Sequence, residues 1–145
     1  MARAFNGAWE YLDKKRRTDR DDLQMLTLVH AARYHAKFAG TARNQAIGDW
    51  QVSRAYAAVG EPRLALAFAR SSLALCEQHE LSDILCTAYE AVARAFAVAG
   101  DPKAAREYLA KARAQLDATP LEAESREIFQ GQIRETERMV RRVEG

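Results

Sequence analysis

The sequence predicts an all-α protein, a helix-turn-helix array of about seven helices, and three observations lead there. The segment Val52-Ser53-Arg54-Ala55-Tyr56-Ala57-Ala58-Val59-Gly60-Glu61-Pro62-Arg63-Leu64-Ala65 returns 40 residues later as Val92-Ala93-Arg94-Ala95-Phe96-Ala97-Val98-Ala99-Gly100-Asp101-Pro102-Lys103-Ala104-Ala105. Self-similarity at such a period marks a stacked repeat architecture. Helical periodicity fills the chain on both sides of the repeat with only short breaks, and no segment alternates as a strand. The composition agrees, with 7 glycines and 3 prolines in 145 residues against abundant alanine, leucine, arginine and glutamate.

Taken in order, Phe5, Ala8, Trp9 and Leu12 stand at helical spacing and predict a first helix over residues 3–16. The basic run Lys14-Lys15-Arg16-Arg17 suits its negative end. Thr18, Asp19, Asp21 and Asp22 supply caps for a second helix that turns Leu23, Leu26, Val29 or His30, Ala32 and Phe38 inward and stops at Gly40. Thr41 caps a third helix that reaches Gly60. Glu61-Pro62 opens the fourth, which runs to about His79, because proline is tolerated in the first turn, where its missing N–H has no partner to lose. Ser82-Asp83 is expected to cap a fifth helix ending at Gly100, Asp101-Pro102 opens a sixth running to about Leu116, and Pro120 begins a seventh. In that last helix Leu121, Ile128, Phe129, Ile133, Met139, Val140 and Val143 form a stripe beneath a charged face.

Composition also narrows function. A net charge of +2, from 22 basic and 20 acidic residues, lacks the basic excess of most nucleic-acid binders and argues against a nucleic-acid partner. No run approaches a membrane span, and the N-terminal residues lack the apolar block of a signal peptide, so the expected location is cytoplasmic, without membrane association. Cys76 and Cys86 are too few for a disulfide framework and are expected to be buried thiols.

Residues 46–119 resemble tetratricopeptide repeats, helix pairs in which small residues allow close approach and aromatics fill the gaps. The matching positions are Val52, Ser53, Tyr56, Gly60, Ala65, Ala69, Ser72 and Leu73 in the first unit. In the second they are Tyr89, Val92, Ala93, Phe96, Gly100, Ala105, Leu109 and Ala112. The sequence departs from the family in its longer period and in Asp49, which stands where a large aromatic is usual. The resemblance implies a right-handed, antiparallel α-solenoid in one domain, 1–145. Residues 1–45 form N-terminal capping helices, 46–119 two repeats, and 120–145 a C-terminal capping helix.

In that family the first helix of each unit lines a concave groove, which implies partner-binding residues Trp50 and Arg54 from one unit and Glu90 and Arg94 from the next. The two arginines become stacked neighbours, a fork suited to a carboxylate or phosphate, with Trp50 one turn before Arg54. Two plainer readings are an intrahelical pair between Glu90 and Arg94, at i,i+4, and simple stacking of Arg54 on Trp50. Because packing is not expected to need either arginine, replacing both by alanine should leave stability near its original level while lowering partner binding. The family's lysine-and-asparagine clamp for a terminal carboxylate is absent from these positions.

His30 and Tyr34 share a face of the second helix and would add a titratable group and a phenol if that face lines the groove. No catalytic or metal motif is found, and no cofactor is expected. The sequence therefore points to a noncatalytic scaffold that binds a protein or peptide, with an acidic group as the candidate feature recognised. The alternatives are an enzyme or small-molecule sensor with a pocket between the second helix and the first repeat, collecting His30, Tyr34, Trp50 and Arg54, or an oligomerisation module. The stripe on the C-terminal helix is compatible with a homodimer.

Overall fold

The computed structural model describes residues 2–145, so Met1 of the expected N-terminal cap lies outside the described residues. Among them are seven α-helices and no strand: α1 (Ala2–Leu12), α2 (Asp19–Ala39), α3 (Ala42–Ala58), α4 (Pro62–Gln78), α5 (Leu85–Val98), α6 (Pro102–Ala118) and α7 (Ala123–Glu144). No described helix is long and apolar enough to cross a membrane.

The internal repeat is reproduced in the backbone of its turns. Gly60 and Gly100 end α3 and α5 with φ of +76° and +79°, the left-handed region where a Cβ is costly. At each turn the next residue closes the helix end, with Glu61 N–H donating to Tyr56 O and Asp101 N–H to Phe96 O, both at 2.9 Å. Pro62 and Pro102 then open α4 and α6. Asp101 accepts from Ala104 N–H at 3.1 Å, whereas the longer Glu61 makes no side-chain cap bond.

Behind each turn the paired helices meet on small residues. Ala65 and Ala105 are fully buried, and Ser53 Oγ donates to Ala65 O at 2.7 Å, so its hydroxyl is satisfied where the second unit has Ala93. Aromatic stacks recur at equivalent places, Tyr56 on Phe68 and Phe96 on Tyr108, each with ring centroids 5.9 Å apart.

Each helix packs on the next in the chain, and α1, α3, α5 and α7 also touch in succession. Among the described residues the backbones of the even-numbered helices stay apart, and α2 meets α4 through side chains, with His30 and Arg33 against the Phe68 ring. The result is two layers, a continuous odd-numbered row and an even-numbered layer seated against it.

Several helix ends and faces differ from expectation. α1 stops at Leu12, so the basic run lies in the connection to α2, where Arg17 donates to Tyr11 O and Ala58 O and pairs with Asp22. These bonds use the arginine to tie the connection to the end of α3, which a continued helix would not permit. Ser82 and Asp83 do not cap α5, which starts at Leu85 after Ile84; Asp83 pairs with Arg43 instead. α7 begins at Ala123 after Glu122, beyond Pro120.

On α2, Leu23 and Phe38 are exposed, each 68%, while Met25, Val29, Ala32 and Ala36 form the buried stripe. Met25 and Ala36 take the place of Leu23 and Phe38, each two residues nearer the middle of the helix, where they share one face with Val29 and Ala32. In α7, Ile133 and Val140 are buried as expected and Thr136 joins them. Ile128 and Val143 face outward.

Candidate functional site

The odd-numbered row brings Trp50, Arg54, Glu90 and Arg94 together, as the repeat register requires, but it buries them. Trp50 packs on Trp9 of α1 with ring centroids 5.6 Å apart. The Arg54 guanidinium carbon lies 5.8 Å from the Trp9 ring and 5.7 Å from the Trp50 ring, a cation set against a pair of packed indoles. One helix further, Glu90 is fully buried and Arg94 is 6% exposed.

Glu90 is the hub. Its Oε2 accepts from Arg94 Nε at 3.1 Å and from Thr136 Oγ1 at 2.7 Å, and its Oε1 lies 3.7 Å from Arg54 Nη1. Arg94 Nη1 continues to Glu135 Oε1 of α7 at 3.1 Å. The expected intrahelical pair and the Arg54–Trp50 stacking are therefore both present within one network spanning α1, α3, α5 and α7.

The network is not fully hydrogen-bonded. Arg54 Nη1, Glu90 Oε1, Arg94 Nη2 and Trp50 Nε1 are buried without a hydrogen-bond partner among the described residues. Burial, together with the neighbouring Arg94 charge, pulls the Arg54 pKa down to about 10, which still leaves it cationic at neutral pH. Burial also opposes the charge on Arg94, but Glu90 and Glu135 outweigh it and raise its pKa. For Glu135 burial is again opposed by Arg94, whose charge holds the carboxyl below its ordinary range.

This arrangement corrects the expectation that the arginines are exposed and dispensable to the fold. Helix α7 lies over α5 and supplies Glu135, Thr136 and Met139 to Arg94 and Glu90. Removing Arg94 would leave Glu90 buried with its main ionic partner gone, which is costly.

Arg54 and Arg94 form part of the wall of a cavity of about 470 Å³. Lys14, Lys15 and Arg17 line it from the α1–α2 connection, and Arg142 and Glu135 line it from α7. Six cations and one carboxylate thus border the same space, a concentration of charge hidden by the near-neutral total. Lys14 pairs with Asp21 at 3.3 Å and Arg17 with Asp22 at 2.9 Å, while Lys15 and Arg142 are exposed at the rim.

His30 and Tyr34 do not join this site. His30 Nε2 is hydrogen-bonded with Tyr56 Oη at 2.8 Å, and its ring packs edge-on against Tyr56 and Phe68. Burial and the nearby Arg33 charge lower its pKa. Tyr34 is 62% exposed and packs at a tilt against Phe38, with ring centroids 4.8 Å apart. The pocket that was to collect His30, Tyr34, Trp50 and Arg54 is therefore not formed: α2 turns its histidine toward α3 and α4 and its tyrosine outward.

Asp49, the departure from the family pattern, is buried and accepts from Arg33 Nε at 2.6 Å and Ser71 Oγ at 2.5 Å. A buried carboxylate paired with a part-exposed arginine thus occupies this position. Cys76 and Cys86 are buried free thiols, with pKa values raised by burial to about 11 and about 12.

Sequence reasoning missed Trp9, Lys15, Glu135 and Arg142. Their roles depend on α1 and α7 converging on α3 and α5, and only the unequal spacing of basic residues near both ends of the chain hinted at it. No family model, characterised protein or solved structure matches the chain.

Proposed function

We propose that the chain is a noncatalytic binding module, a tetratricopeptide-like α-solenoid whose odd-numbered helices form the concave face and receive an acidic segment of a partner protein. The observation that carries this reading is the Arg54–Arg94 pair in the wall of a 470 Å³ cavity with a basic rim. The duplicated glycine-acid-proline turns support the repeat architecture. The packing supports the choice of face, since helices whose backbones approach in succession occupy the inner radius of a curved stack and helices whose backbones stay apart occupy the outer one.

The chemistry of the cavity follows from its groups. Guanidinium and ammonium donors hold an anion by charge-assisted hydrogen bonds, and arginine adds bidentate geometry. Long rim side chains raise the encounter rate with an acidic partner and lose that effect as salt screens them over a Debye length of about 10 Å at 0.1 M.

Calorimetric titration with a short oligoglutamate peptide, beside an oligoglutamine peptide of equal length, tests the proposal. Binding of the acidic peptide alone, weakened by salt and by Lys15→Ala or Arg142→Ala, is expected. Equal binding of the two peptides, or indifference to both substitutions, would rule the cavity out as the site.

A further inference from the structure

The acidic-partner reading leaves open which anion the cavity suits, and the placement of its donors narrows the choice. We propose that the cavity takes a phosphoryl group, and that Glu135 is an internal competitor for the same place. This assignment rests on the acidic-partner reading and sharpens it.

The two carboxylates already in the network behave differently. Glu90 is fully buried and bound on one oxygen by both Arg94 and Thr136, so it is a fixed part of the floor. The Glu135 side chain is 50% exposed and meets the site through Arg94 Nη1 at 3.1 Å. Rotation of Glu135 toward solvent releases that donor without disturbing Ile133, Thr136 or Val140, the residues by which α7 is buried.

Once it is released, donors surround one space from four parts of the chain: Arg54 on α3, Arg94 on α5, Arg142 on α7 and Lys15 in the α1–α2 connection. A carboxylate has one charge and two oxygens in a plane, and Glu135 already supplies that complement. A phosphoryl group has close to two charges and three tetrahedrally disposed acceptor oxygens, which match donors converging from several directions. Two further features indicate an unmet demand for negative charge. Arg94 Nη2 has no hydrogen-bond partner among the described residues, although Arg94 is only 6% exposed, whereas Arg54 Nη1 faces Glu90 Oε1 at 3.7 Å. The cavity volume also falls within the usual range for a bound small molecule and has room for a phosphorylated side chain.

The full chain is titrated by calorimetry with three probes: inorganic pyrophosphate, a capped pentapeptide carrying phosphoserine, and the same peptide with glutamate in its place. The phosphoserine peptide is expected to bind at least about tenfold more tightly than the glutamate peptide, since it offers close to two charges and three acceptor oxygens against one charge and two oxygens. Glu135→Gln should tighten phosphopeptide binding, whereas Lys15→Ala and Arg142→Ala should weaken it. All three positions are exposed, and thermal melts establish that the variants fold. Pyrophosphate binding as tightly as the phosphopeptide supports the phosphoryl site and assigns its source to a small molecule.

Equal affinity for the phosphoserine and glutamate peptides overturns the phosphoryl assignment and leaves the acidic-partner reading standing. Binding of no probe removes both. Phosphopeptide affinity that is unchanged or reduced in Glu135→Gln eliminates the competitor role.

Discussion

Arg54 and Arg94 occupy identical places in the repeat and differ in what surrounds them. Arg94 is bonded to Glu90 and Glu135, so Arg94→Ala strands a fully buried carboxylate and should destabilise the protein by about 3–5 kcal/mol. Arg54 has no closer acid than Glu90 at 3.7 Å, and its burial opposes its charge, so Arg54→Met should cost far less and leave a normal melting transition. Urea denaturation of the two variants measures both, and equal losses would contradict the asymmetry. The sequence showed that the arginines were equivalent; it could not show that α7 would bury one of them, because that depends on contacts 41 residues away. His30 gives a pH prediction. Its pKa is lowered in the folded protein, by burial and then by Arg33, so the unfolded chain takes up the proton more readily. Stability is therefore full above the ordinary histidine value of 6.5 and falls as the pH drops below it toward the folded-state value. Melting temperatures between pH 7 and 5 should decline less steeply in His30→Phe, and a proton-resonance titration placing His30 at or above 6.5 would refute the argument.

At the level of helices and turns, local chemistry was readable and docking was not. The ends of α3 and α5 and the starts of α4 and α6 follow from glycine and proline acting on their immediate neighbours, and the sequence located them within a residue or two. The end of α1, the start of α5 and the inward face of α2 depend on Arg17 reaching Ala58, Asp83 reaching Arg43, and Met25 fitting among Ala8, Val29 and Val52. No local signal encodes those partners. The turns yield a clean test, since a Cβ at Gly60 or Gly100 would meet nothing within 4 Å and only the positive φ opposes it. Gly60→Ala and Gly100→Ala should therefore each cost about 1 kcal/mol, and nearly the same amount. The helix contacts behind the turns lack such space. Ala65→Leu and Ala105→Leu should each cost roughly 1–3 kcal/mol through overpacking, and unchanged melting temperatures in both would show that the pairing of α3 with α4 and of α5 with α6 is misassigned.

For the whole molecule, the row of odd-numbered helices means that the charges of Glu90 and Arg94 are met from more than one helix. Glu90 depends on Thr136 of α7, and Arg54 rests against indoles from α1 and α3. Ending the chain before Ala123 would uncover the cluster around Cys86, Ala93, Ala97 and Leu109 and remove Glu135 from Arg94. A markedly lower melting temperature is the expected result, and a melt as sharp and as high as that of the full chain would contradict it. The same packing pattern has a kinetic consequence. Helices that touch only their first and second neighbours make mostly short-range contacts, and chains of that kind fold quickly because little loop entropy is lost before contacts form. The paired turns let α3–α6 assemble from either unit, leaving α7 to dock against an Arg94–Glu90 pair that is incomplete until it arrives. Folding should then be fast and unfolding should begin at the C-terminal end, with amide protons of α7 exchanging ahead of those of α5. A buried ion pair in the middle of the stack thus sets the order in which its outer layers come off.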